Sequence, residues 1–261
     1  PFTIAFNKKE IDRLMITMNK NKDKRWIVKP ENGTFRRGIT VLNNWLELKE
    51  YVSKYNLNNW IIQEYIEDPL LLNKKKFHFR VYALYINNKV STSIYILNYG
   101  FMYTANKEYQ IEPIDLDRLL SGESSKNNVF MFPNDIISLI GIQNWRKIVK
   151  PQFIKIIKET ILSTIDTLKC PNSNNIDYKC FKFFGYDILI DNKLNCYLAE
   201  INARDITFKY PSKNFIKTFY DDMLKLVLLN KSLSNKELKS MNLPFERLIY
   251  KNDSNLIEEF K

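Results

Sequence analysis

Phe184-Gly185-Tyr186-Asp187-Ile188-Leu189-Ile190-Asp191, followed by Tyr197-Leu198-Ala199-Glu200-Ile201-Asn202, is the most informative stretch of this chain. The apolar runs Phe181–Ile190 and Asn195–Ile201 flank Asp191-Asn192-Lys193, a turn sequence, and so predict the two arms of an antiparallel hairpin. Alternate residues of a strand share a face, so Glu200 and Asn202 point the same way at the end of an otherwise apolar arm. Asp187 sits in the middle of the other arm, where an unpaired carboxylate is costly. Two carboxylates and an amide oxygen on adjacent strands make a hard-oxygen set suited to Mg²⁺ bridging nucleotide phosphates. Ion pairs between Asp187, Glu200 and the many lysines explain the same pattern without a metal.

Upstream, Lys76–Ile86 and Val90–Leu97 read as a second hairpin, joined at Asn87-Asn88-Lys89. Lys76, His78 and Arg80 recur with period two, so three potential cations stand on one face. A phosphate chain would relieve their repulsion; a basic edge strand that discourages aggregation is the competing reading. A third piece runs from Trp26 to Ile39 (WIVKPENGTFRRGI). There Lys29 ends a short apolar strand, and Gly33 and Gly38 bracket a basic loop able to fold over phosphates through backbone N–H groups. No GKS or GKT follows, so this is not a P-loop.

The remaining pattern is mixed. Residues 8–20 carry a helical stripe of Ile11, Leu14, Met15 and Met18, and residues 44–55 another of Trp45, Leu48, Val52 and Tyr55. Asn59–Ile66 reads as a strand, Pro151–Leu168 as a long helix opened by its proline, and Ser212–Leu229 as a last helix. Residues 100–134 read as irregular, and the segment after Lys231 as polar and weakly patterned. Strand–helix–strand units without regular alternation argue against a doubly wound parallel sheet and for an α+β fold.

The 261 residues include 45% hydrophobic and 14% aromatic residues, enough for a buried core and unlike a disordered chain. No apolar run reaches the roughly 18 residues of a membrane span. The chain opens Pro1-Phe2-Thr3 without a signal-like segment and reads as a piece of a longer protein. Cys170, Cys180 and Cys196 form no CxxC or Cys/His cluster and read as buried thiols of a reducing compartment. The lone His78 rules out chemistry that needs two histidines. Forty Lys and Arg against 29 Asp and Glu give a formal charge of +11, a surface that attracts polyanions. The Lys, Asn and Ile bias of an AT-rich genome accounts for part of it.

Taken together and in order, these pieces resemble the tubulin–tyrosine ligase-like family of ATP-grasp enzymes. The likeness runs from Pro1 to about Asn202: Trp26–Ile39 resembles its W-I-x-K-P…R-G-I loop, Gln63-Glu64-Tyr65-Ile66 with Pro69-Leu70-Leu71 its hinge, Lys76–Arg80 its K-F-D-x-R strand, and Asp187 with Glu200-Ile201-Asn202 its D…E-x-N metal triad. The resemblance implies an ATP-grasp fold of antiparallel sheets with flanking helices, its central subdomain at 1–70 and its catalytic subdomain at 71–230, with 231–261 a polar extension. It implies ATP and Mg²⁺, with Lys29 and Lys76 on phosphates or ribose and Gly33 and Arg37 in the loop over them. Gln63, Glu64, Tyr65 and Ile66 would frame adenine largely through the hinge backbone, beside His78. Asp187, Glu200 and Asn202 would hold Mg²⁺; Arg80, with Lys76 and Glu200, would serve the chemistry, binding the γ-phosphate or the acyl phosphate formed from it.

The activity implied is ligation of glutamate, glycine or tyrosine to an acidic protein tail, with tubulin as acceptor, by a cytoplasmic, cytoskeleton-associated monomer. Departures stand beside it: His78 for the family's aspartate, Glu64 for the hinge lysine, Asn98 near a usual arginine, and Ala203-Arg204-Asp205 where a proline is common. They sustain an alternative, a non-catalytic module that holds acidic tails or microtubules on a basic face. A nucleic-acid-binding reading rests on charge alone and predicts salt-sensitive binding indifferent to ATP.

Overall fold

The computed structural model describes residues 1–32, 37–87, 91–122, 129–168, 180–203, 213–229, 232–252 and 255–257. Among the described residues the chain builds two antiparallel sheets. The smaller is made of β1 (Thr3–Asn7), β2 (Trp26–Pro30), β3 (Thr40–Leu42) and β4 (Asn59–Glu64) in the order β1-β4-β2-β3. Helices α1 (Arg13–Lys20) and α2 (Trp45–Ser53) cover one of its faces, where Leu14, Met18, Leu48 and Val52 pack on Trp26, Val28, Trp60 and Ile62. Residues 8–10 form a 3-10 turn rather than the start of α1, because the Asn7 side chain caps the Lys9 N–H. Gly38 adopts φ 72°, and a Cβ there would stand 2.7 Å from Pro30 Cγ, so this turn requires glycine.

The larger sheet has nine strands among the described residues: β5 (Leu71–Leu72), β6 (Lys75–Asn87), β7 (Ser91–Leu97), β8 (Gly100–Thr104), β9 (Val129–Phe132), β10 (Cys180–Ile190), β11 (Cys196–Asn202), β12 (Phe245–Asn252) and β13 (Asn255–Ile257). Its main path is β11-β10-β6-β7-β12-β13, with β8 on the first half of β6. Both predicted hairpins are present. Helical segments follow in chain order: α3 (Leu116–Leu119), α4 (Asn134–Ile140), α5 (Ile142–Asn144), a π-helical turn (Trp145–Val149), α6 (Lys150–Thr164), α7 (Lys213–Leu228) and α8 (Asn235–Ser240). Pro151 therefore sits in the first turn of α6, but the helical path begins upstream of it.

Residues 100–134, expected to be irregular, hold two strands and helical segments that include α3 and the start of α4. All five residues of β8 are buried, so the period-two alternation that betrays a half-exposed strand is missing. Gly100 starts it because a Cβ there would lie 2.4 Å from the Arg80 carbonyl oxygen. The segment after Lys231 is likewise not a weakly patterned tail. Ser234 and Glu237 form a capping box on α8, Leu233, Leu238 and Leu243 are buried, and β12 pairs with β7. Its apolar residues follow no single period because the chain passes from helix through turn to a strand with a register shift at Arg247/Ile249.

Two clusters sandwich the large sheet. On its back face Phe77, Phe79, Val81, Ala83 and Tyr85 pack against Phe153, Ile157 and Ile161 of α6. On its front face Tyr82, Leu84 and Ile86 pack against Phe219, Met223 and Leu226 of α7. Thus α7 covers only the second half of β6, and the front of the first half is left to Lys76, His78 and Arg80. Cys180 is disulfide-bonded, which overturns its reading as a free thiol, and Cys170 lies outside the described residues. Cys196 is a free, half-buried thiol that burial pushes up to about 12. Among the described residues no helix is long and apolar enough to cross a membrane.

Candidate active site

The register brings the predicted residues together on the front of the large sheet. Asp187 lies between Arg80 on β6 and Glu200 on β11, and Asn202 faces Gly185. A bulge makes this alignment. Glu200 pairs with Asp187 and Leu198 with Ile188, so Ala199 is one residue too many. Its carbonyl, pushed out of the ladder, accepts a 2.9 Å hydrogen bond from Lys29 Nζ of the small sheet. Lys29 therefore reaches across from one sheet to the other and lands beside the carboxylates.

Arg80 forks onto Asp187: Nε donates to Oδ1, and Nη2 donates to Oδ2 at 3.0 Å. The Asn202 amide also donates to Asp187 Oδ2, at 3.3 Å. Room for the Arg80 side chain comes from Gly185, where a Cβ would stand 3.1 Å from Arg80 Cδ. Burial works against the Arg80 charge, but Asp187 outweighs it and its pKa is raised. The Glu200 carboxyl opens to solvent yet is raised, first by desolvation from the surrounding protein and then by Asp187 opposite it; Lys29 and Arg80 only partly offset this. Lys29 is lowered by burial, against the pull of Glu200 and Asp187. His78 is buried on the same face, with Nδ1 2.8 Å from Ser121 Oγ and Nε2 3.8 Å from Asp187 Oδ1.

Lys76 is the most deeply placed cation of the site, only 3% exposed. Its ammonium sits 3.7 Å from the centre of the Tyr65 ring and donates to the Ile66 carbonyl at 3.4 Å. Burial lowers it to about 7. Lys76 thereby joins strand β6 to the segment Tyr65–Ile66. Gln63 pairs with Ile27 on the face of the small sheet that carries Lys29. Glu64 pairs with Trp26 on the opposite face, where its carboxylate takes Lys24 at 2.6 Å and the Phe2 N–H at 3.3 Å. Only the backbone of Glu64 is thus available to a nucleotide.

Arg37 is exposed in a turn, with no ion pair among the described residues, and Gly33 lies outside the described residues. Asn98 is exposed past the end of β7, where its N–H donates to the Pro244 carbonyl. Ser121, and the residues Arg25, Glu67 and Tyr109 around the hinge, escaped the sequence reading. They come from segments 42 or more positions apart, and only the register of the sheets gathers them.

The donor set fits one particular kind of metal. Among the described residues no group of three or more His, Cys, Asp or Glu could hold an ion. Two carboxylates facing each other with an amide beside them fit Mg²⁺, which binds through one or two carboxylates plus water and substrate phosphates.

The sequence profile of the tubulin-tyrosine ligase family matches residues 4–236. Tubulin glycylase 3D of Tetrahymena thermophila is 27% identical over 230 residues, covering 80% of this chain and 21% of the glycylase. Tubulin glycylase 3C of the same organism is 26% identical over 256 residues, covering 88% of this chain and 23% of the glycylase. Tubulin polyglutamylase TTLL6 of Mus musculus is 28% identical over 240 residues, covering 80% of this chain and 27% of the polyglutamylase. The chain thus spans about a quarter of the length of these relatives. With a match that covers most of the chain and every described site residue, the chain belongs to the tubulin-tyrosine ligase family, whose fold is of the ATP-grasp type.

Proposed function

We propose that this chain is the Mg-ATP-dependent core of a carboxylate–amine ligase that adds an amino acid to an acidic protein tail, with tubulin the first acceptor to test. The observation that carries this reading is the gathering of Lys29 and Arg80 around Asp187, Glu200 and Asn202, across two sheets, with Lys76 buried beside the hinge on the same face of β6. In this reading residues 1–70 and 71–230 are the central and catalytic subdomains, and the nucleotide lies between them. The names of the relatives make glycine and glutamate the first co-substrates to try. The +11 charge suits an acidic tail, and a cytoplasmic, cytoskeleton-associated setting follows from that acceptor.

Asp187, Glu200 and Asn202 would hold Mg²⁺. Bound here, Mg-ATP supplies the phosphoryl group that turns a carboxylate into an acyl phosphate open to attack by an amine, and the metal neutralises the charge in transit. Lys29 and Lys76 would meet the phosphates, held in place by the Ala199 carbonyl and the Tyr65 ring. Tyr65, Ile66 and Gln63 line the adenine side. Arg80 would reach a phosphate only by giving up part of its fork on Asp187. The same fork favours a second reading, a binding module whose arginine is locked away from phosphate.

Intact-mass spectrometry of tubulin and of its tail peptides, incubated with the protein, Mg-ATP and mixed amino acids, tests the proposal. An increment of one amino-acid residue is expected. Unmodified acceptors beside measurable tail binding would establish the binding module instead.

A further inference from the structure

The hinge that faces the nucleotide in this reading is held by groups to which the chemistry gives no role. Beyond the Trp26–Glu64 pair the β2–β4 ladder would continue with Arg25 opposite Tyr65. The Tyr65 N–H does donate to the Arg25 carbonyl, at 2.9 Å. The return bond is diverted, because the Arg25 N–H donates to Glu67 Oε1 at 2.9 Å. Nη1 of the same arginine donates to Glu67 Oε2 at 2.6 Å. One carboxylate thus grips both the main chain and the side chain of Arg25. The strand ends there, and no hydrogen bond among the described residues uses the Tyr65 carbonyl or the Ile66 N–H.

The grip extends to the other half of the molecule. Arg25 Nη2 donates to Glu112 Oε1 at 2.7 Å, and Tyr109 Oη donates to the Glu67 carbonyl at 2.6 Å. Tyr65 Oη donates to the Leu119 carbonyl at 2.8 Å. Arg25 therefore ties β2, the hinge and the segment between β8 and α3 into one bracket. Hydrogen bonds between charged partners are the stronger kind, and the guanidinium fork fixes direction as well as distance.

From this bracket we infer that Arg25, acting through Glu67, is a positioning residue that sets the Tyr65–Ile66 peptide at the height and angle a purine base needs. The inference rests on the nucleotide reading of the site. An exposed ion pair contributes little to stability. This one is half-buried and bonded to main chain, so its larger effect falls on the geometry of the hinge. The clamp lies on the nucleotide's side of the site and touches none of Asp187, Glu200 or Asn202. Its loss therefore weakens ATP binding and spares the chemical step.

Calorimetric titration with Mg-ATP of wild type, Arg25→Ala, Arg25→Lys and Glu67→Gln is the test, with folding checked by circular dichroism. Wild type is expected to bind, and Arg25→Ala to bind about 10-fold or more weakly, in the range that outer-shell positioning partners command. Arg25→Lys should recover part of the loss, since an ammonium reaches one carboxylate but cannot fork. The Arg25→Ala/Glu67→Gln double variant should bind no more weakly than Arg25→Ala. ATP turnover at saturating nucleotide should stay within about 2-fold of wild type. A folded Arg25→Ala that binds within about 2-fold of wild type overturns the inference alone. Wild type that binds no Mg-ATP overturns the site assignment and the inference with it. If Arg25→Ala fails to fold, Glu67→Gln and Tyr109→Phe carry the same comparison.

Discussion

The two sides of strand β6 are built from alternate residues of one short run and serve opposite ends. Phe77, Phe79 and Val81 on the back are wholly buried against α6, where shape and apolar area decide their worth. Lys76 and His78 on the front are almost as buried, and Arg80 nearly so, yet all three are polar. Burying an apolar ring stabilises the fold; burying an ammonium opposes it unless something answers the charge. Arg80 has Asp187 and His78 has Ser121, while among the described residues Lys76 has a ring face and one carbonyl. The difference teaches that the front of β6 carries buried polar groups at a cost in stability that the back must offset, a cost the proposed ligand site accounts for.

The sharpest way to break that contrast is at Glu200. Glu200→Gln keeps the shape and removes one unit of charge from the proposed metal pair. ATP turnover should fall by more than about 100-fold while the melting temperature stays within a few degrees. A steady-state ATPase assay beside a thermal melt reads both, and normal turnover would sink the metal assignment.

Phe79→Ala should do the reverse. Removing this wholly buried ring leaves a cavity among Phe77, Phe132 and Phe153 and should cost about 3–5 kcal/mol in urea unfolding, with Mg-ATP affinity of the folded fraction unchanged. A loss below about 1 kcal/mol would show that the back face is not the anchor described here.

The last effect is the most specific. Burial lowers Lys76 from 10.5 to about 7, so between these values the unfolded chain holds a proton that the folded one has lost. Stability of the ligand-free protein should therefore rise with pH across that window on account of Lys76. Below it the cost of the buried charge is felt in full. Lys76→Met should flatten the rise, read as unfolding free energy at about pH 7 and about pH 9.5, near the two ends of the window. Parallel pH dependences in the two proteins would mean that the ammonium is not strained by burial.

What the sequence made legible follows the same contrast. Period-two alternation is enough to assign both faces of β6, since Lys76, His78 and Arg80 interleave with Phe77, Phe79 and Val81. Asp187, Glu200 and Asn202 stand out because charge in an apolar strand is expensive. Strand β8 is hidden, being buried on both faces, and β12 is hidden by its bulge and by the changes of period around α8. The Ala199 bulge gives Lys29 its landing place, and no spacing rule announces it. Nor does the sequence assign Glu64, whose carboxylate faces Lys24 because it shares a strand face with the buried Trp60 and Ile62. The Arg25–Glu67–Tyr109 bracket joins positions 42 residues apart twice over, which only tertiary pairing supplies.

The most direct test of the central claim, that the front of β6 with the facing sheet is a nucleotide site, is a thermal melt of the intact chain with and without Mg-ATP. A specific site at about 100 times its Kd should add roughly 2.7 kcal/mol, a shift of a few degrees, and ATP with EDTA should give clearly less. An unchanged melting temperature at millimolar Mg-ATP would contradict the account.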